Sequence, residues 1–223
     1  PDNETADDSS DYNNDGTLIG GTQWTTGKHG SALSFDGTDD CVDAGSNISI
    51  ADSNSVTYTA WVKPDSYGRN GYGRIIDKGD GNTGNSMYLR QSTGNIGYVV
   101  YGGTAINSDQ DVITLGQWQH IAVVHDKDNN QVNFYVNGQA AGSTSYSNAK
   151  TDSPLANMVI GMRGYDLNRA FDGLIDDVRV YGKALSQAEV QKVQEGVIPF
   201  AFTPIGDKSI NEGENLNFTV ETS

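Results

Sequence analysis

The chain has 223 residues, 14 Lys+Arg against 29 Asp+Glu, a formal net charge of -15 and one cysteine. That length admits one large all-β domain, or one ordinary domain with part of another. A lone Cys41 excludes an internal disulfide and a Cys/His zinc cluster; the negative surplus excludes nucleic acid and anionic membrane surfaces by repulsion, and no apolar run approaches the ~20 residues of a membrane span. Pro1 is no initiator and no signal-peptide pattern follows it, so the chain reads as a segment of something longer.

Glutamate occurs only at Glu4, Glu189, Glu195, Glu212, Glu214 and Glu221, and the other acids are aspartates scattered among Asn and 27 Gly. Asp, Asn and Gly disfavour helix and supply turns, and Asp is also a short, hard oxygen ligand for calcium. The opening Asp8–Gly16 has no apolar pattern. Beyond it, Val56 to Val62 alternates at period two and stops at Lys63-Pro64-Asp65. Ile75-Ile76, Met87 to Leu89 and Ile96 to Tyr101 read as short strands bounded by Gly. Trp118 to His125 and Val132 to Val136 form a pair across the polar turn Asp126 to Asn130, and Asn137-Gly138 is a strong hairpin signal because both residues accept positive φ. Met158 to Ile160 and Leu174 to Tyr181 close the set. With no βαβ alternation, the pattern predicts an all-β, antiparallel two-sheet sandwich. Ser186-Gln187-Ala188-Glu189 is a capping box that opens one short helix, with Val190 and Val193 on its apolar face and Gly196 at its stop. After Pro199, Leu216 to Val220 alternates like a strand, but a lone strand cannot bury its face. The predicted division is residues 1–198 as one domain and 199–223 as a linker and the first strand of another.

Several segments, in order, carry a family resemblance: Asp8-Ser9-Ser10 through Asp15-Gly16-Thr17-Leu18, Ala32 to Val42 with Cys41 where tyrosine is usual, Ala60-Trp61-Val62-Lys63-Pro64, Trp118-Gln119-His120-Ile121-Ala122, Phe134 to Gly138, Phe171 to Tyr181 and Ala184-Leu185-Ser186. Together they resemble the laminin-G-like jelly rolls of the concanavalin A-like lectin/glucanase superfamily, in the bacterial form. The tail from Phe202 resembles the opening of the Ig-like and cadherin-like repeats of bacterial extracellular proteins. The resemblance implies a jelly roll within a secreted or cell-surface multidomain protein, a single folded unit in a larger chain. It says little of function, because the fold hosts lectins, adhesion domains and glycosidases. Trp61, Phe134 and Trp118 are expected between the sheets, Cys41 is expected as a small buried apolar residue, and His29 and His125 are expected on turn and strand edges.

Glycosidases of this superfamily need two carboxyl groups across the scissile bond. No glutamate lies between Glu4 and Glu189, and Asp176-Asp177 would point to opposite faces unless a bulge intervenes. No Ser/His/Asp order or G-x-S-x-G elbow is present, and no enzyme is predicted. Sugar binding draws on planar aromatic rings with Asp, Asn or Arg at the hydroxyls. Tyr67, Arg69, Tyr72 and Arg74 crowd one Gly-rich loop; Arg163, Tyr165, Asp166, Asn168 and Arg169 crowd another. The expected glycan-binding residues are Tyr67, Tyr72, Arg74, Arg163, Tyr165 and Asp166, with a polysaccharide or glycan as partner. The alternative is a structural or adhesion spacer with no sugar ligand.

Calcium is the expected ion. Asp11-x-Asn13-x-Asp15-Gly16 has the oxygen spacing of a calcium loop, whereas Asp126-x-Asp128-x-Asn130 lacks the Gly and reads better as a hairpin. A further option pairs Asp77 or Asp80 with Asp166. In related jelly rolls a structural calcium ties the N-terminal segment to the final strand, and the resemblance therefore implies a ligand pool of Asp8, Asp11, Asn13, Asp15 and Asp176. The bland alternative is a metal-free polar turn capped by its own side chains.

Overall fold

The computed structural model describes residues 4–10, 12–46, 54–147 and 153–196. Asp11, and everything after Gly196 including the predicted second domain, lies outside the described residues. In chain order the strands are β1 (Thr5–Ala6), β2 (Gly16–Ile19), β3 (Gln23–Thr26), β4 (Ser31–Asp36), β5 (Cys41–Asp43), β6 (Val56–Pro64), β7 (Arg74–Gly79), β8 (Gly84–Arg90), β9 (Asn95–Val100), β10 (Ile106–Asn107), β11 (Gln119–Asp126), β12 (Gln131–Val136), β13 (Gln139–Ser145), β14 (Met158–Ile160) and β15 (Asp172–Tyr181). Helix α1 (Gln187–Gln194) follows. They build two antiparallel sheets, one of eight strands ordered β1-β2-β5-β14-β7-β8-β9-β10 and one of seven ordered β13-β12-β11-β6-β15-β4-β3. This is the two-layer sandwich that the alternating pattern predicts, consistent with a jelly roll.

Pleating explains the core. Across the eight-stranded sheet the register aligns Leu18, Val42, Ile160, Ile76, Met87, Tyr98 and Ile106 in one inward row. Facing it, β6 contributes Val56, Tyr58, Ala60 and Val62, β11 contributes Ile121 and Val123, and β12 contributes Val132 and Phe134. Burying each large aliphatic side chain stabilises by about 1.5–3 kcal/mol. His125, expected at a strand edge, instead lies fully buried in β11 between β6 and β12. The Tyr98 hydroxyl donates to Asn85 Oδ1 at 2.9 Å and lies 3.1 Å from His125 Nδ1, which makes that nitrogen the donor. The trio bridges the two sheets.

The same parity corrects the placement of the tryptophans. Ala60 and Val62 point inward, so Trp61 points out, opposite His120 of β11 and Asp176 of β15. Trp118 precedes β11 and is half-buried, which leaves Phe134 as the member of the three in the inter-sheet core. Helix α1 covers part of this outward face: Leu185, Val190 and Val193 pack on Ala122, Val124 and Tyr135. Its capping box is formed as the sequence predicts, with the Ser186 side chain accepting from the Glu189 amide and Glu189 accepting from the Ser186 amide.

Candidate functional site

The two loops singled out in the sequence meet. The Arg69 amide donates to Ala170 O at 2.8 Å, the Arg74 amide donates to Arg169 O at 2.9 Å, and Asn70 Nδ2 donates to Asn168 Oδ1 at 3.2 Å. The loops therefore sit side by side against the outward face of the eight-stranded sheet, where register aligns Asp43, Val159, Asp77 and Ser86.

Under the loops lies a polar layer. Asp77 is fully buried; it accepts from the Tyr101 hydroxyl at 2.6 Å and the Gly164 amide at 3.0 Å, and lies 3.7 Å from Arg74 Nε. Burial pushes its carboxyl above the ordinary value, outweighing the downward pull of Arg74 and these donors. Arg74 is 2% exposed and stacks 4.1 Å from the Tyr88 ring centroid, and Tyr88 lies so close to β9 that a Cβ on Gly97 would be 2.3 Å from it. Arg74 thus sits beneath the surface. Tyr67 is half-buried against the core and donates to Ile113 O at 3.4 Å. Tyr72 remains partly open, with Arg169 4.6 Å above its ring. Arg163 and Asp166 form a bidentate pair, and Arg163 also lies 4.7 Å from the Tyr165 ring.

Beside this layer runs a groove of about 260 Å³, lined by β2, β5, β7, β14 and the loops around Asp80, Leu155 and Tyr165. Ile19 (44% exposed), Leu155 (93%), Tyr165 (44%) and Leu167 (63%) all line it, a concentration of open apolar surface on a strongly acidic protein. The Tyr165 ring stands edge-on to Tyr101 at 5.7 Å and packs so closely on Gly81, at φ 91, that a Cβ there would lie 3.3 Å away. Asp43 accepts one bond per carboxylate oxygen, from the Gly45 amide and Asn157 Nδ2, and each oxygen keeps a lone pair. Asp80 accepts from the Asn82 and Thr83 amides and the Thr83 and Ser153 hydroxyls, and those amides hold its pKa down at about 2. Cys41 lines the floor as the buried thiol that the sequence predicts, and burial raises its pKa to about 11. Asp43, Asn157, Ile19, Leu155 and Leu167 are groove residues that no motif in the sequence marks.

The expected calcium ligands divide between the sheets. Asp8 lies on the β1–β2 connection and accepts from the Ser10 and Asn14 amides at 2.9 Å, while Asp15 accepts from the Asp8 amide at 2.8 Å. Partial burial pushes the Asp8 carboxyl up, but these donors outweigh it and hold it below its ordinary value. Asn13 is exposed at φ 52. Asp176, in the other sheet, accepts from the Lys28 and His29 amides, both at 2.8 Å. Among the described residues the grouping of three acidic side chains within 4.8 Å is Asp36, Asp39 and Asp40, and there Asp40 accepts from the Gly21 and Asp36 amides and Asp36 from Thr38. Of the five-residue pool, Asp11 lies outside the described residues, and Asp8, Asp15 and Asp176 are not part of that grouping. Of the rim option, Asp77 is tied below the surface and Asp166 to Arg163. The Asp126 turn closes through Asn129, as a hairpin should. Asp176 and Asp177 are separated by a bulge, with Asp177 at φ 47 and paired to Arg179 at 2.8 Å.

Similar proteins share this architecture. Domain 4 of AbnA, an extracellular arabinanase of Geobacillus stearothermophilus solved with arabinotriose, is 23% identical, with 80% of this chain and 87% of that one covered at a TM-score of 0.63. The binding domain of botulinum neurotoxin serotype D is 18% identical, covered over 85% and 48% at 0.67. The Ruminococcus gnavus sialidase CBM40, bound to α2,3-sialyllactose, is 18% identical, covered over 64% and 83% at 0.54. Among curated proteins no relative matches. At these identities the likeness speaks for the fold, while a laminin-G family model matches residues 36–191, and the chain belongs to the concanavalin A-like lectin/glucanases superfamily.

Proposed function

We propose that this domain is a non-catalytic carbohydrate-binding module of an extracellular multidomain protein, and that it holds a saccharide in the groove beside Tyr165. The observation that carries the reading is the juxtaposition of a half-exposed tyrosine ring with Asp43 and Asn157 in one groove. A pyranose or furanose offers an apolar C–H face to such a ring and hydroxyls to such acceptors. Structural neighbours that bind arabinotriose and sialyllactose support the class of ligand.

The groove's electrostatics favour binding over hydrolysis. A glycosidase needs one carboxyl with a raised pKa to protonate the leaving oxygen. Asp80 is held at about 2, and Asp43 is bonded through both oxygens. The carboxyl with the raised value, Asp77, is buried under Tyr101 and Gly164.

Calcium belongs to this proposal only as a structural ion on the Asp8–Asp15 loop, with Asp176 serving the turn at Lys28 and His29 instead. Matching thermal melts with calcium and with a chelator would remove the ion from the reading. The segment from Phe202 is proposed as the start of a following Ig-like or cadherin-like module.

A glycan array followed by titration of the best neutral oligosaccharide tests the site. Tyr165→Ala is expected to weaken binding by about 1–3 kcal/mol, as for an aromatic anchor, with an unchanged melt. Equal affinity in wild type and variant would move the site elsewhere, and no response to any saccharide would favour the spacer alternative.

A further inference from the structure

Four of the chain's six arginines, Arg74, Arg90, Arg163 and Arg169, converge on the outward face of the eight-stranded sheet, although the chain as a whole carries -15. Arg74 stacks on Tyr88 and Arg169 on Tyr72, and those two rings stand 6.1 Å apart. Arg90 follows Tyr88 by two residues on the same face of β8, and the charges of Arg74, Arg90 and Arg169 all act on the Tyr88 hydroxyl. The acids do not match them. Asp166 is committed to Arg163, and Asp77 is shared by Arg74, Tyr101 and Gly164. Among the described residues neither Arg90 nor Arg169 has an ion pair. Arg74 is 2% exposed, yet among the described residues its Nε and Nη1 have no hydrogen-bond partner, and Arg90 Nε has none either.

Asp77 offsets Arg74 alone, so Arg74, Arg90 and Arg169 together keep a positive surplus around Tyr88 that a further anion would offset. The strain is visible at Arg169, whose guanidinium is pushed below its ordinary pKa by partial burial, then by Arg74 and Arg163. We propose that Arg169 and Arg90, with Tyr72 as a flat support and the charge of the buried Arg74 beneath them, form a subsite for an anionic substituent of the saccharide, a carboxylate or a sulfate. This rests on the saccharide reading and extends it. The loop from Arg163 to Arg169 places Tyr165 and Leu167 in the groove and Arg169 on Tyr72, so one oligosaccharide could lay a ring on Tyr165 and its charged neighbour by Arg169. Guanidinium groups bind planar carboxylates and tetrahedral sulfates through paired, charge-assisted hydrogen bonds.

The test titrates the full 223-residue chain with an oligogalacturonate, its methyl ester and a sulfated galactan oligosaccharide. At low salt at least one charged ligand is expected to bind roughly tenfold or more tighter than the neutral ester, and 0.5 M salt should remove most of the gain. Whether the carboxylate or the sulfate shows the gain names the source of the charge. Arg169→Ala should abolish the preference for the charged ligand over the neutral ester, and Arg169→Lys should restore part of it. A neutral ligand that binds as well as both charged ones would overturn the subsite and leave the saccharide reading standing. Absence of binding to all three and to the glycan array would overturn both.

Discussion

On the seven-stranded sheet the outward residues of β6, β11 and β12 are covered by helix α1 at one end and by stacked rings at the other. There Trp61 stands between His29, at 5.6 Å, and His120, at 5.5 Å, with Lys28 4.6 Å over its ring. On the eight-stranded sheet the outward residues of β5, β14 and β7 run instead into an open groove and an arginine-rich layer. Both faces come from the same period-two pleat. What differs is the cover. A capped amphipathic helix seals one face with apolar contacts, whereas two Gly-rich loops cover the other with cations, rings and a gap. Under the proposed function recognition belongs to the second face alone, so perturbing the first should change stability without changing saccharide affinity.

The largest effect is expected where the recognition face is fastened to the sheet. Asp77→Ala would leave Arg74 buried without an acid and remove the acceptor of Tyr101 and Gly164, at a cost of about 3–5 kcal/mol. Urea unfolding measures it. Asp77→Asn keeps an acceptor for the hydroxyl and should recover part of the loss. A cost under 1 kcal/mol for the alanine variant would mean the loops are held by other contacts. On the opposite face, Leu185→Ala opens a cavity under α1 and should cost about 2–4 kcal/mol, with saccharide affinity of the folded protein unchanged. A parallel loss of affinity would show that the two faces are coupled through the core.

The sandwich itself was legible in the sequence because strand alternation, Gly-bounded turns and the Ser186 cap all point to one architecture. The convergence of the two loops was legible only as composition: Arg69 and Arg169 are a hundred residues apart, and it is the hydrogen bonds to Ala170 and Arg169 that join them. Register explains what was misplaced. Trp61 looks like core until its parity with Ala60 and Val62 turns it outward, and His125 looks like an edge until β12 pairs along its other side. The groove was not legible. Ile19, Asp43, Leu155 and Asn157 come from separated segments, each unremarkable alone, and the chain supplies no local pattern for residues that share a surface only through β5–β14–β7 pairing.

The smallest expected effect concerns the sealed face and its response to acid. His120 is buried, and neither ring nitrogen has a hydrogen-bond partner among the described residues. Burial lowers its pKa from 6.5 to about 4, against the opposing pull of Asp177 and with help from Arg179 and His29. The groups facing it are Trp61 from β6, Asp176, Asp177 and Arg179 from β15, and Lys28 and His29 from the β3–β4 turn. Because the folded pKa lies below the unfolded one, the unfolded state binds more protons between the two values. Stability from this residue is therefore complete above the unfolded value and declines as pH falls toward the folded value. Between pH 7 and pH 5 the linkage amounts to about 2 kcal/mol. Those limits stay above the ordinary carboxylate range, where Asp8 and Glu189 would add losses of their own. Chemical denaturation at both pH values should show the decline in the wild type, and His120→Gln, which cannot titrate, should flatten it by that amount. An identical slope in the two proteins would place the acid sensitivity elsewhere, and saccharide affinity at pH 5 should be the same in wild type and variant because His120 lies on the face away from the groove.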